Sequence, residues 1–178
     1  MDKKTQALVE QYAKSLVEVA LEKDSLAEIQ AEIGTLVSIF EKTDLKPFLS
    51  NLAVSRDEKV KIVRLFQESS SVYMNNFLEV ILQNEREIYL FAILESVQKE
   101  IAKVTNQYDV IVTSAVSLTA EQKERIYALI DSKFNIKVRN LIEKIDDTIL
   151  GGFIISVNNK VIDTSIRRQL QTLKMNLK

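Results

Sequence analysis

The residues of this chain best suited to chemistry gather between Glu143 and Leu173, in EKIDDTILGGFIISVNNKVIDTSIRRQLQTL. Two of the three glycines stand there side by side, Gly151-Gly152, and such a pair invites a phosphate-cradle reading. Phosphate loops follow a strand and open a helix, whose N-terminal amides then face the anion. Here Phe153-Ile154-Ile155-Ser156-Val157 follows, β-branched and aromatic, so the pair is expected to mark a bulge or a close backbone approach where a strand begins. Asp146, Asp147 and Asp163 could form a carboxylate site for magnesium or acid-base work, since hard cations take oxygen ligands. Neighbouring Asp146 and Asp147 more naturally make the turn between two strands. Arg167 and Arg168 fall in the first turn of a last helix, where positive charge opposes the macrodipole by roughly 0.3–1 kcal/mol each. Either Asp163 offsets them locally or they meet an acidic partner.

Composition narrows the chemistry further. The 178 residues contain no Cys and no His, which removes disulfides, thiolate metal sites, Cys nucleophiles, and the commonest metal ligand and general base. Carboxylates and lysines remain, so an enzyme is disfavoured, and an active site built from Asp146, Asp147 and Lys144 has no supporting pattern. Hydrophobic residues at 46% and charged residues at 28% describe a soluble globular chain, and no apolar run approaches a transmembrane length. The N-terminus, MDKKTQALVEQYAKSL, has neither a signal core nor an Arg-rich transit pattern, so the mature chain is expected to begin there. Net charge is −1, divided unevenly: 13 Lys and Arg against 17 Asp and Glu up to Thr105, and 11 against 8 from Asn106 onward. Regions of net −4 and +3 fit either ordinary solvation or two different electrostatic partners.

The elements that position these residues follow from periodicity. Leu8, Val9, Tyr12, Ala13, Leu16, Val19 and Ala20 form one stripe of a first helix over Thr5–Lys23. Asp24 or Ser25 can cap a second, Ser25 completing a capping box with Glu28, with Leu26, Ile29, Ile33, Leu36, Val37 and Phe40 as its stripe and Gly34 either at a close helix contact or simply tolerated. Pro47 belongs in the first turn of a short third helix ending near Asn51. Ser55–Glu58 is a second capping box, heading a fourth helix. Val72 to Asn84 makes a fifth helix and Arg86–Thr105 a sixth, so the first hundred residues predict a six-helix bundle. A β-rich run then starts at Asp109 and continues to Leu118. The capping box Thr119–Gln122 opens a helix to Phe134. Strands are expected over Lys137–Ile145 and Leu150–Val157, with Asn158-Asn159 turning into a strand at Lys160-Val161-Ile162. Asp163 or Thr164 should cap a last helix with Ile166, Leu170, Leu173 and Leu177 on one face. The fold class is thus α+β in two domains: residues 1–105 as the bundle and 106–178 as strand-helix-strand-strand-strand-helix.

A second candidate surface joins Leu8, Tyr12 and Ser15 of the first helix to Asn76 and Val80 of the fifth. Stripes at this spacing ordinarily face a core. Mixed small, polar and aromatic residues could also line a groove for an amphipathic helix.

Two segments carry a family resemblance. Tyr12-Ala13-Lys14-Ser15-Leu16, then Val19-Ala20, resembles the opening of the δ subunit family of bacterial F-type ATP synthases, related to the mitochondrial oligomycin-sensitivity-conferring protein. Ile145-Asp146, Gly151-Gly152-Phe153-Ile154-Ile155, Val161-Ile162-Asp163 and Ser165-Ile166-Arg167 resemble its C-terminal signature. Ser15 and Thr164 depart from it, standing where alanine and glycine are usual. The likeness spans essentially the whole chain. It implies a non-catalytic stator without cofactor or metal, present in single copy, linking the α/β head to the peripheral stalk so that rotation is coupled to ATP synthesis or hydrolysis. It further implies that the bundle holds the N-terminal helix of an α subunit at Leu8, Tyr12, Ser15, Asn76 and Val80, and that the C-terminal domain holds the C-terminal end of subunit b, with Arg167 and Arg168 on that side. Nucleic acid is not an implied partner, and the membrane is reached only through the complex, at the cytoplasmic face of the bacterial cell membrane. The alternative from a different class is a free-standing nucleic-acid or ribosome-associated α+β protein using the net +3 half, whose binding would weaken steeply with salt.

Overall fold

Asp2 sets the start of the first helix: its Oδ1 accepts from the Thr5 amide at 2.7 Å, an N-cap of a kind that stabilises a helix by about 1 kcal/mol. The computed structural model describes residues 2–176. Helix α1 (Lys3–Glu22) is followed by α2 (Leu26–Lys42), α3 (Leu45–Ser50), α4 (Arg56–Gln67), α5 (Val72–Gln83) and α6 (Leu90–Thr105), the last entered through a 3-10 turn over Glu87–Tyr89. The chain divides into two units, to Val104 and from Thr105.

In the first unit α1 buries Val9, Ala13, Leu16, Val17 and Ala20, and the two alanines leave room for close helix neighbours. Ile29, Ile33, Leu78, Ile81, Leu90, Ile93, Leu94 and Val97 complete the centre of this core with no exposed surface. Polar ties fix helix order around it. Ser71 caps α5 by accepting from the Met74 amide, and its hydroxyl donates to Glu32 of α2 at 2.9 Å. Arg56, at the start of α4, donates from Nη2 to the Leu82 carbonyl at 2.9 Å. The capping box at Ser55–Glu58 forms with both of its hydrogen bonds.

Two local expectations need correction, and the alternatives left open at Gly34 are decided. Ser25 makes no side-chain cap for α2; it is buried and its hydroxyl points back at the Ala20 carbonyl, so the tight α1–α2 connection takes the hydroxyl that a capping box would use. Val19 faces outward at 38% exposure, while Val17 takes the inward place, because α1 has neighbours over only part of its circumference. Gly34 has nothing within 4 Å of where a Cβ would stand. It is a tolerated helical glycine, not a close contact.

The second unit is a sheet of order β2-β1-β3-β4, formed by β1 (Gln107–Ser114), β2 (Lys137–Ile145), β3 (Phe153–Val157) and β4 (Lys160–Asp163), with α7 (Ala120–Phe134) and α8 (Ile166–Asn176). β1 and β2 run parallel, which requires the crossover that α7 supplies; β3 and β4 add antiparallel strands. Val110, Val112, Ile155 and Val157 alternate onto the face that meets Ile126 and Ile130 of α7, the period of two expected of strands. The Thr119–Gln122 box caps α7. With only three glycines available, asparagines occupy left-handed positions: Asn135 ends α7, and Asn158 and Asn159, φ 44° and 64°, form the hairpin turn, the sign of φ that a two-residue turn demands.

β1 ends at Ser114, short of the expected Leu118, because the Ser114 hydroxyl turns to the Val116 carbonyl at 2.7 Å and the chain leaves the sheet to reach the α7 cap. β3 begins at Phe153, not Leu150. Leu150, Gly151 and Gly152 all have positive φ (63°, 136° and 74°), incompatible with an L-residue strand. This reversal brings Gly152 against the chain before α8, where a Cβ would lie 2.6 Å from the Thr164 carbonyl oxygen. Phe153 and Thr164 then lock the approach, the Thr164 amide donating to the Phe153 carbonyl at 3.0 Å and its hydroxyl to the same oxygen at 2.8 Å.

Across the sheet, Arg139 grips the Asp109 carboxylate with two donors, Nε at 2.9 Å and Nη2, and Asn140 donates to it at 2.8 Å. Arg139 holds the Asp109 carboxyl below its ordinary value of 3.8 against the opposing effect of burial, with Asn140 assisting.

Two outcomes are expected. Gly152→Ala should lower the stability of the second unit by about 2–4 kcal/mol, combining a positive φ with a backbone collision, whereas Gly34→Ala should raise that of the first by about 0.5–1 kcal/mol; urea melts followed by circular dichroism compare the two. Because the folded carboxyl of Asp109 binds its proton less readily than the unfolded one, its stabilisation is complete above 3.8 and is lost as pH falls through the lowered value. Asp109→Asn should therefore be less stable at neutral pH and show a smaller acid-induced loss, read from melting temperature against pH.

Candidate functional site

The five residues Leu8, Tyr12, Ser15, Asn76 and Val80 line one groove between α1 and α5, of about 610 Å³, together with Gln11, Leu16, Val19, Tyr73, Phe77, Asn84 and Arg86. The two helices run antiparallel here: Tyr12 meets Phe77 edge-on, ring centroids 6.4 Å apart at 70°, and Lys23, beyond the end of α1, lies within electrostatic reach of Tyr73 at the start of α5. Leu8, Tyr12, Ser15 and Val19 recur at helical spacing along one wall; Tyr73, Asn76, Val80 and Asn84 do so along the other. At 1.5 Å per residue, the eleven steps from Leu8 to Val19 give a length of about 17 Å, three helical turns.

Burial divides the groove into floor and walls. Leu16 and Phe77 are 3% and 8% exposed and belong to the core beneath, while Val19 and Val80 are 38% and 44% exposed above it. Ser15, the smallest side chain of that wall, stands between Tyr12 and Val19. The floor is apolar and closed, and the walls leave apolar surface open to solvent, as a helix-binding groove requires. The apolar stripe of α1 includes Val19 without setting it in a groove, and Gln11, Tyr73, Asn84 and Arg86 stand outside the expected set. Helical spacing could have found Tyr73 and Asn84, which fall in line with Asn76 and Val80; Arg86 lies beyond the end of α5 and no periodicity points to it.

The second unit holds the other candidates. The carboxylates do not assemble: Asp146 accepts from the amide and hydroxyl of Thr148 at 3.0 and 2.7 Å, an Asx turn leading into the 3-10 turn Asp147–Ile149. Among the described residues no group of three or more acidic side chains is placed to hold a metal ion. Gly151-Gly152 precedes a strand and faces the Thr164 backbone, so its amides do not form a helix-opening phosphate cradle. The start of α8 differs from expectation as well. Ser165, 2% exposed, accepts from the Arg168 amide at 3.3 Å and caps the helix, whereas Asp163 accepts from the Ser165 amide at 2.9 Å and thereby orients that cap. Arg167 and Arg168 are exposed. Donation from Ser165 does most to hold the Asp163 carboxyl below its ordinary value, with the charges of Arg168 and then Arg167 adding to it. Neither arginine forms an ion pair among the described residues. The apolar stripe Ile166, Leu170 and Leu173 is 45–57% exposed, and Leu177 lies outside the described residues.

A helical unit with an open, largely apolar groove is joined in one chain to a small α/β unit whose terminal helix carries exposed arginines and an exposed apolar stripe. Residues 8–177 match the family model described as ATP synthase delta (OSCP) subunit. The chain is 72% identical over 178 residues to the ATP synthase subunit delta of Streptococcus equinus, covering 100% of both chains. It is 60% identical to that of Streptococcus pyogenes serotype M3, again over 100% of each. A chain in the cryo-EM structure of the Toxoplasma gondii mitochondrial ATP synthase hexamer shares the fold at 18% identity, with a TM-score of 0.71 over 96% of this chain and 97% of that one. This chain belongs to the ATP synthase delta (OSCP) subunit family, whose role is that of a non-catalytic stator linking the head of the F-type ATP synthase to its peripheral stalk. Among the described residues no helix is long and apolar enough to cross a membrane.

The division into floor and wall predicts opposite responses to substitution. Phe77→Ala should cost about 3–5 kcal/mol, as for a buried aromatic, while Val80→Asp should change stability by only about 0.5 kcal/mol, as for an exposed position; thermal melts of the two variants check this.

Proposed function

We propose that the α1–α5 groove holds the amphipathic N-terminal helix of an ATP synthase α subunit and that the second unit holds the C-terminal end of subunit b. The observation that carries the first half is the groove itself: an apolar trough three helical turns long, with its aromatic floor already packed and apolar walls left open. A helix with apolar residues at i, i+3, i+4 and i+7 fits such a trough and buries its stripe there. Leu8, Tyr12, Ser15, Asn76 and Val80 make this contact, and Gln11, Val19 and Tyr73 extend it.

Support for the second half comes from the start of α8, where Arg167 and Arg168 stand exposed in the first turn against the helix dipole. Asp163 offsets part of their charge, yet is itself engaged with Ser165, which leaves both guanidinium groups available to acidic groups of a stalk helix. The chain then sits in single copy at the cytoplasmic face of the membrane, reaching it only through the complex. Two linked contacts raise each other's effective concentration, so neither face has to bind with extreme affinity to keep the bridge closed. A stator needs stiffness and two adhesive surfaces, and neither requires His or Cys.

A peptide of the α-subunit N-terminus should bind the full chain, with affinity falling at least tenfold in Val80→Asp, by about 1.4 kcal/mol or more, measured by isothermal titration; failure of the unmodified chain to bind would sink the reading. Charge reversal at both Arg167 and Arg168 should weaken binding of the C-terminal segment of subunit b and leave α-peptide binding unchanged. A change in stability alone, with both affinities intact, would assign those arginines to the fold.

A further inference from the structure

The end of the groove nearest Leu8 carries a charge that the apolar fit does not use. Arg86 follows α5, is half-buried, and lines the groove beside Asn84. Its chain neighbours are both acidic, Glu85 and Glu87, and either could have neutralised it. Neither does so, because Arg56 of α4 draws both: its Nη1 lies 3.3 Å from Glu85 Oε1 and its Nε 3.9 Å from Glu87 Oε1. Glu87 is buried at 5% exposure, turned into the protein. The Arg86 side chain is left with one long donation, Nη1 to the Glu85 carbonyl at 3.4 Å, and no carboxylate within 4 Å among the described residues.

The nearby carbonyls at the end of α5 are also occupied. The Val80 carbonyl accepts from the Asn84 amide at 3.1 Å and from the Asn84 side chain at 2.9 Å, and the Ile81 carbonyl accepts from the Arg86 amide at 2.9 Å. A guanidinium with five donors, partly removed from water and almost unengaged, is poised to grip a carboxylate in a forked geometry. A helix lying in the trough would carry its side chains past this point as they leave the apolar floor.

We propose that Arg86 is the carboxylate anchor of the groove, donating to an acidic side chain at one end of the partner helix's apolar stripe and so fixing that helix's register and direction. The proposal rests on the groove being a helix-binding site. The apolar walls supply affinity for any amphipathic helix of suitable length, and Arg86 discriminates among them, since a helix laid in reverse or displaced by one turn leaves the cation unpaired beside apolar surface.

The test uses the full chain and a synthetic peptide spanning the N-terminal helix of an ATP synthase α subunit, titrated at low and high salt, with each Asp and Glu of the peptide replaced singly by its amide. Arg86→Gln should weaken binding about tenfold, as for a charge-assisted hydrogen bond lost from a partly buried site, while Arg86→Lys should retain much of the affinity and its salt dependence. One peptide neutralisation should cause a similar loss with the unmodified chain and almost none with Arg86→Gln, a coupling that a purely structural role for Arg86 would not produce. If Arg86→Gln fails to fold by circular dichroism, the peptide amide series against the unmodified chain and Arg86→Lys carries the test. Equal affinity of Arg86→Gln and the unmodified chain, or a series in which no acidic position matters, overturns the anchor while leaving the groove reading intact. No binding of the peptide to the unmodified chain overturns both.

Discussion

Everything distinctive about the first unit depends on how α1 packs against α5. The contact has to be close enough below to seal a core and open enough above to leave a trough. Ala13 and Ala20 at 1% and 0% exposure allow α1 close to its neighbours on the core side, and the edge-on contact of Tyr12 with Phe77 closes the trough at its floor. Aromatic pairs in this geometry contribute about 0.5–1.5 kcal/mol beyond the area they bury. The same contact therefore both stabilises the bundle and shapes its open groove. Apolar side chains left above it gain nothing from the fold of the chain alone; they are stabilising only when something covers them.

The second unit uses a different device. Its sheet and α7 enclose a core of Val110, Val112, Ile126, Ile130, Ile155 and Val157, far smaller than that of the bundle, and so it depends more on backbone detail. The left-handed run Leu150-Gly151-Gly152 reverses the chain, seats Gly152 on the Thr164 backbone and aligns β3 with β4. From that seat Ser165 caps α8 and presents Arg167 and Arg168 at its start. A glycine pair that could suggest nucleotide binding is here a hinge of packing that aims a charged helix. The Asp109–Arg139 pair adds a cross-strand clamp between the parallel strands, where hydrogen bonding is slightly weaker per residue than in antiparallel ones.

Much of this was legible in the sequence, and for identifiable reasons. Helices whose stripes are complete on one side, such as α2 with Ile29, Ile33, Leu36, Val37 and Phe40, announce both their type and their buried face. The boxes at Ser55–Glu58 and Thr119–Gln122 locate helix starts to the residue, since their hydrogen bonds are local and form wherever the chain turns helical. The change of period near Asn106 marks where helices give way to strands, and the Asn158-Asn159 pair marks the hairpin, because both signals are properties of short segments. The grouping of Leu8, Tyr12, Ser15, Asn76 and Val80 rests on their mixed small, polar and aromatic character and on the family resemblance, as nothing in their spacing says that a stripe faces a trough and not a core.

What the tertiary structure decided was every case in which two distant segments compete for the same group. Ser25 gives its hydroxyl to Ala20 across the α1–α2 turn and not to its own helix. Ser165, not Asp163 or Thr164, caps α8, because Asp163 is drawn to the Ser165 amide. Val19 faces out and Val17 in, since neighbours surround only part of α1. Arg86 is left without a carboxylate because Arg56, thirty positions earlier in the chain, takes the two acidic groups beside it. Local pattern determined which elements form and which faces are apolar, through interactions a few residues long. Which polar group is satisfied by which partner, and which is left over for another molecule, was set only when the chain folded and those groups came within hydrogen-bonding distance.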